Sequence, residues 1–214
     1  MSERLFEPGL ENVLYSAGGR DCGAGWAGRR VNATVADVFA PARLGPVELR
    51  NRVIKAATFE GMTPHALVTD DLIDYHLRPA RGGVGMTTVA YCAVSPEGRT
   101  DRHQLWMRPE AVPGLRRLTD AVHAEGAAVC AQIGHAGPVA NAASNRLPAL
   151  APTRRPSPLS MRMIKAVSTS DLQRIIRAHA QAAVTAREAG FDAGSQRRDP
   201  RYRCGRSAAR WRSV

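Results

Sequence analysis

The sequence predicts an α/β fold in which parallel strands form the sheet and helices cover it. Two observations carry this: short strand-like runs are apolar on both faces, and amphipathic helical runs separate them. Two architectures satisfy the pattern, an open doubly wound sheet and a β/α barrel. A third observation bears on the choice. A dinucleotide-binding doubly wound sheet places GxGxxG after its first strand, and here that place reads Thr58-Phe59-Glu60-Gly61-Met62. The Gly-rich Gly82-Gly83-Val84-Gly85 lies between a helix and a strand, where it serves as C-cap and tight turn.

The elements follow in order. Leu44-Gly45-Pro46-Val47-Glu48-Leu49 supplies a Gly-Pro turn flanked by extended residues, which reads as a hairpin. Val53–Thr58 is the first, short apolar strand. A helix follows from Asp70, with Thr69 as N-cap, two acids in its first turn and Gly82-Gly83 as its stop. Gly85–Cys92 is the second strand. The next helix starts near Pro113, buries Leu115, Leu118 and Val122 at helical spacing, and stops at Gly126. Ala127–Ile133 is the third strand. A Pro-rich connection, 137–167, leads to Ser170-Asp171-Leu172-Gln173, read as a capping box. That helix is expected to bury Leu172, Ile175, Ile176, Ala180, Ala183 and Val184 and to end at Gly190. Phe191-Asp192-Ala193 opens a fourth strand.

Three zones result: a weakly ordered extension at 1–35, a periodic body at 36–193 and an aperiodic Arg-rich tail at 194–214. Hydrophobic residues are 44% and charged residues 23%, the proportions of a soluble globular protein. No run approaches the roughly 18 apolar residues of a membrane helix. The N-terminal stretch lacks an apolar core of the secretory kind, so a cytoplasmic location is expected and the sequon at Asn32 is read as chance. Cys22, Cys92, Cys130 and Cys204 form no CxxC pair, so no metal site is expected, and Cys92 and Cys130 read as buried thiols. His76, His103, His123 and His179 read as surface or helix-face residues.

The net charge of +11 invites a nucleic-acid reading, but its distribution argues against one. Arginine outnumbers lysine 28 to 2, and residues 194–214 hold seven arginines against the single acid Asp199. That is irregular charge without a patterned helix or stripe.

In a β/α barrel, function gathers where the strands end. The first strand ends Ala56-Ala57-Thr58, the second Tyr91-Cys92-Ala93 and the third Gln132-Ile133-Gly134-His135. Small residues beside one amide suit a flat, hydrogen-bonding ring, because a Gln amide offers both a donor and an acceptor. His135 divides between a site role and a loop histidine satisfied by backbone. Trp106 and Met107 follow the second strand, where they line the site or pack on it.

At these residues a resemblance becomes specific. Residues 35–193 resemble the N-terminal half of the old yellow enzyme family of NADH:flavin oxidoreductases. The matching strings are Phe39–Ile54 (FAPARLGPVELRNRVI), Ala93–Arg99 (AVSPEGR), Gln132–Gly137 (QIGHAG) and Ala186–Asp192 (AREAGFD). The resemblance implies an incomplete TIM-type (β/α)8 barrel of the first three to four βα units, with an N-terminal β-hairpin cap and a disordered Arg-rich tail. It implies FMN as cofactor, NAD(P)H as reductant and an activated C=C bond conjugated to a carbonyl as acceptor. Ala57, Thr58, Ala93 and Gln132 match positions that contact the FMN ring, and His135 and Trp106 are candidate site-lining residues.

The departures also have consequences. In the family the fourth strand runs on into an acidic residue and a His-x-x-His or His-x-x-Asn pair, with a proton-donating Tyr shortly after. Here the text reads Gly194-Ser195-Gln196-Arg197-Arg198, and no histidine follows His179. No catalytic residue is therefore assigned. The family's phosphate site, on its seventh and eighth strands, has no counterpart. The expectation is a truncated, inactive reductase whose tail from residue 194 reads as an out-of-frame product of a GC-rich gene, with compromised FMN binding and self-association through exposed sheet edges. The alternative is a non-catalytic half-barrel assembly module, or an anion- or RNA-binding protein acting through its basic tail.

Overall fold

The computed structural model describes residues 35–157 and 160–196. Nearly all of the expected N-terminal extension and the tail from residue 197 lie outside the described residues, and with them Cys22, Asn32, Cys204 and Trp211.

A short helix α1 (Val35–Phe39) leads into an antiparallel hairpin of β1 (Ala42–Leu44) and β2 (Val47–Leu49), with Ala42 opposite Leu49. Gly45 turns the chain at φ +62, a conformation open to glycine at little steric cost. Then come β3 (Ile54–Phe59), α2 (Asp70–Arg81), β4 (Met86–Ala93), α3 (Val112–Ala124) and β5 (Ala128–Gly134). After an excursion, α5 (Thr169–Glu188) and β9 (Ala193–Gln196) complete the described chain. The main sheet runs β3-β4-β5-β9, every pair parallel. Each strand thus lies beside its predecessor. A doubly wound sheet reverses its order at a switch point, so this unreversed run is that of a partial barrel.

Alternation along the strands sends side chains to two cores. Val89, Val129 and Ala131 face the helices and pack with Leu72, Leu77, Leu115, Leu118, Val122, Ala182 and Ala186. Met86 and Cys130 face the other way and pack with Leu49, Leu44, Val47, Ile54 and Ala193. The hairpin therefore plugs the end of the sheet where the strands begin. Arg50 fixes it there: Nη2 donates to the carbonyls of Ala80 (2.6 Å) and Val84 (2.9 Å), and Nη1 to that of Glu125 (2.7 Å). Its cation thus sits at the carbonyl-rich ends of α2 and α3, where a positive charge is stabilising.

Helix α2 begins as expected, with the Thr69 hydroxyl accepting from Leu72 N–H at 3.3 Å and Asp70 and Asp71 in the first turn. Helix α5 does not. Its capping box is Ser168 with Asp171, in place of Ser170 with Gln173: the Ser168 hydroxyl accepts from Asp171 N–H (3.2 Å), and Asp171 Oδ2 accepts from Ser168 N–H (3.1 Å). Lys165 Nζ, 2.8 Å from the same carboxylate, adds a tertiary reason for this choice. The buried face of α5 is Ala182, Thr185 and Ala186, whereas Leu172 is 42% and Ile176 67% exposed. The N-terminal turns of α5 present apolar residues that no described element covers, so periodicity alone overestimated their burial.

One further expectation is corrected. The tail does not begin as disordered text at residue 194: Gly194, Ser195 and Gln196 continue β9, level with Ala131, Gln132 and Ile133. Main-chain pairing is open to any non-proline residue, so the neighbour β5 extends the strand whatever the side chains. The Pro-rich connection 137–167 has structure of its own. It holds a short helix α4 (Ala142–Asn145) and a small sheet in the order β6-β8-β7, made of Leu150–Ala151, Met163–Ala166 and Arg155–Pro156. Ile164 and four alanines, Ala140, Ala142, Ala149 and Ala151, give it a core of its own. Among the described residues, no helix is long and apolar enough to cross a membrane.

Candidate functional site

Because β3, β4, β5 and β9 are parallel, their C-terminal ends share one edge of the sheet. Ala57 and Thr58 lie near the end of β3, just where its register against β4 shifts and Thr58 comes level with Val89. Ala93 ends β4, level with Gly134, and Gln132 lies near the end of β5, level with Ser195. The structure thus brings Ala57, Thr58, Ala93 and Gln132 to one end of three adjacent strands.

They differ in exposure. Thr58 is exposed, Ala57 and Gln132 are half-buried, and Ala93 is fully buried. The segment Leu105–Met107 runs beside Ala93: Ala93 N–H donates to Leu105 (2.8 Å), and Met107 N–H donates to Ala93 (2.9 Å). Trp106 is the residue paired with Ala93 in this short parallel bridge, and its ring lies 4.8 Å from the Arg108 guanidinium carbon. Among the described residues the Gln132 side-chain amide has no hydrogen-bond partner. Its donor and acceptor are available.

His135 is held by its surroundings. Nδ1 accepts from Gly137 N–H at 2.9 Å, and Nε2 stands 3.7 Å from Glu97 Oε1. The ring packs so closely on Gly98 that a Cβ there would lie 2.5 Å from Cδ2. Glu97 follows β4 and also pairs with Arg174 of α5. Burial pushes the Glu97 carboxyl up, but His135, Arg174 and nearby hydrogen bonds outweigh it and hold the group at about 2. Two loops and a helix are thereby tied together at the C-terminal edge of the sheet.

A second cluster lies behind β3. The Glu60 carboxylate, 3% exposed, is 3.2 Å from Lys55 Nζ and 3.5 Å from His76 Nε2. His76 Nδ1 is 2.7 Å from Thr87 Oγ1. His76 is fully buried on the inner face of α2, where β4 carries Thr87 against it, so of its two readings, surface or helix face, the structure gives the helix face. Burial drives the His76 imidazole below its ordinary value, against an opposing pull from Glu60. Sequence reasoning did not single out Glu60, Glu97 or Arg174, and gave His76 no part in a cluster. Glu97 stood in plain sight within the Ala93–Arg99 string, but nothing in the spacing shows which residues meet across the fold.

Cys92 and Cys130 are buried free thiols, as expected. Burial pushes Cys92 far above its ordinary range and Cys130 to about 11, so both stay protonated and neither is a ready nucleophile.

Comparison with known proteins places this geometry. Residues 37–193 match the model of the NADH:flavin oxidoreductase / NADH oxidase family. A 4,4'-dithiodibutanoate disulfide reductase of Rhodococcus erythropolis is 56% identical over 161 residues, covering 75% of this chain and 40% of that protein. A metal reductase of Desulforamulus reducens is 39% identical over 155 residues, 72% of this chain and 23% of its own. Among solved structures, the old yellow enzyme homologue from Zymomonas mobilis superposes with a TM-score of 0.69 at 22% identity, covering 75% of this chain and 48% of that one. Morphinone reductase in complex with tetrahydroNAD gives 0.68 at 24% identity, with 74% and 48% covered. The chain thus spans less than half the length of these relatives.

Proposed function

The chain belongs to the NADH:flavin oxidoreductase / NADH oxidase family, and from that premise we propose that its strand ends form the ring-binding part of an FMN-dependent, NAD(P)H-driven reductase. The observation that carries this is the unpaired Gln132 amide at the same sheet edge as Ala57 and the exposed Thr58. These residues fit a flat heteroaromatic ring: small side chains admit it close to the backbone, and the amide meets the donor-acceptor edge of its pyrimidine. Ala93 fits less directly, because the Leu105–Met107 segment covers it, and it acts as a floor beneath the ring.

When bound, FMN supplies the two-electron chemistry, taking hydride from NAD(P)H and giving it to an acceptor. This chain's residues orient the ring and hold the loops around it. Gln132 fixes the pyrimidine edge. Glu97, through His135 and Arg174, anchors the loops that exclude water from above. The acceptor is an activated C=C bond conjugated to a carbonyl or, by likeness to the Rhodococcus relative, an organic disulfide. The strands β3 and β9 end the four-stranded sheet, so self-association through these edges belongs to the same reading.

By the resemblance, the FMN phosphate is held by strands beyond the four described here, so these 214 residues alone recognise the ring and not the phosphate. The test is a titration of the chain with FMN and with riboflavin, followed by flavin fluorescence. Both bind with similar Kd, and Gln132→Leu weakens both by about tenfold, the cost of one hydrogen-bonding partner lost. A chain that binds neither flavin, or a Gln132→Leu variant that binds as the parent does, overturns the reading.

A further inference from the structure

The main sheet is open on both sides. Its order, β3-β4-β5-β9, leaves β3 and β9 each with a neighbour on one side only among the described residues. The outward main chain can be identified at both edges. The Val53 carbonyl accepts from Gly85 N–H at 2.9 Å, so the main chain of Val53 faces β4 and alternation turns that of Ile54 to the open side. At the other edge Asp192 N–H donates to the Val129 carbonyl at 3.0 Å, so Asp192 faces β5 and the main chain of Ala193 turns outward.

Neither edge strand is guarded by its own residues. Edge strands that stay unpaired carry proline, outward lysines or a covering element. β3 and β9 contain no proline, and their only charged residue is Lys55. Lys55 is folded back: its Nζ lies 3.2 Å from Glu60 Oε1 and 4.7 Å from the Tyr75 ring centroid. Val53, 38% exposed, and Phe59, 49% exposed, add apolar surface at the two ends of β3.

The number of strands selects the partner. A TIM-type barrel closes at eight parallel strands. The chain supplies four in barrel order and spans 48% of the length of each solved relative named above. A half-turn about the barrel axis sets β9 of one copy beside β3 of the other, parallel to it, and does the same at the second seam. Head-to-tail contacts form a ring when the rotation closes, and here two copies close it. Each copy brings its own plug, since Arg50 ties the hairpin to the ends of α2 and α3 in its own chain. We infer that two copies of this chain pair β9 to β3 at both seams and close an eight-stranded parallel barrel. The inference rests on the self-association named above, which it makes definite, and is independent of the flavin.

The test is sedimentation equilibrium of the 214-residue chain and three variants. The parent sediments at twice the mass of one chain. Ile54→Pro removes the outward N–H of β3 at the first strand position, where proline is tolerated. Ile54→Ala removes the same packing and keeps the N–H. The proline variant falls to half the parent's mass and the alanine variant does not. Ala193→Pro, at the first position of β9, also falls to half. Mixed in equal amounts, the two proline variants regain dimers, because each mixed pair retains one intact β9–β3 seam. A parent that is a monomer or an open-ended polymer overturns the inference even if no variant folds. Dimers of Ala193→Pro alone overturn it too, because they pair β3 with β3. Riboflavin fluorescence on the same samples separates the claims: a dimer that binds no riboflavin sinks the flavin reading alone, and a monomer that binds it sinks the barrel pairing alone.

Discussion

The Nε2 of His76 lies 3.5 Å from Oε1 of Glu60, with His76 wholly shut off from solvent and Glu60 nearly so, between β3 and α2. Lys55 approaches the same carboxylate from the strand. One carboxylate thus meets a lysine and a buried imidazole close to the residues proposed to touch the ring. Removing one member of a buried pair leaves an uncompensated charge and costs about 3 kcal/mol or more. Glu60→Ala is therefore expected to destabilise the chain by about 3 kcal/mol in urea unfolding, with Glu60→Gln losing less because it keeps a hydrogen-bonding oxygen. A Glu60→Ala loss under about 0.5 kcal/mol would mark the cluster as solvated.

The same histidine sets a pH dependence. Its folded imidazole is held below the ordinary 6.5, so the unfolded chain binds the proton more readily. The stabilisation is complete above pH 6.5 and is lost as pH falls below it, through the folded value. His179, lowered likewise by burial, adds in the same direction. Stability measured across this range should fall with acidification, and His76→Gln should flatten the slope. An unchanged slope in that variant contradicts the assignment.

Glu97 produces a second, more acidic window. Its carboxyl is held at about 2 against an ordinary 4.5, so its contribution is present above pH 4.5 and disappears as pH falls towards 2. Arg174→Met keeps the apolar stem and removes the charge. The acid-unfolding midpoint of that variant should move to higher pH; a midpoint equal to the parent's would mean that Arg174 does not hold Glu97.

Gly98 is expected to tolerate no side chain. An added Cβ would lie 2.5 Å from His135 Cδ2 and 2.8 Å from Cγ, and this ring is buried and fixed at Nδ1. Gly98→Ala should cost about 2 kcal/mol by overpacking, and His135→Ala in the same chain should restore part of the loss. Additive losses in the double variant would show that the two residues do not meet.

The caps of α5 can be separated directly. Ser168→Ala should cost about 1 kcal/mol, and Ser170→Ala should cost little, as its N–H and hydroxyl close no capping box. The reverse order would restore the cap read from the sequence.

That cap shows where sequence reasoning ran short. Ser168 and Ser170 are both good caps in isolation, and the choice falls to Asp171 and Lys165, which meet only in the folded chain. The same holds for Leu172 and Ile176, whose periodicity is right for burial while no described element lies against them. By contrast, the main strands themselves, the Thr69 cap and the Gly45 turn were legible, because each depends on residues adjacent in the chain. The strand ends carrying Ala57, Thr58, Ala93 and Gln132 were legible too, since parallel strands bring their ends together whatever the details. The burial of Ala93 under Leu105–Met107 and the links from Glu60 to His76 and from Glu97 to Arg174 are long-range contacts that no local pattern encodes.

The account depends most on Gln132 and the neighbouring strand ends facing a common flat ligand. Lumiflavin, the bare ring system without ribityl or phosphate, tests this when titrated into the chain and followed by amide chemical shifts. The account predicts that the Gln132 side-chain amide and the backbone amides of Ala57, Thr58 and Gly134 shift together and saturate with one Kd. Shifts confined to the helix-facing core, or a Gln132 side-chain amide that does not move while other residues saturate, would contradict it.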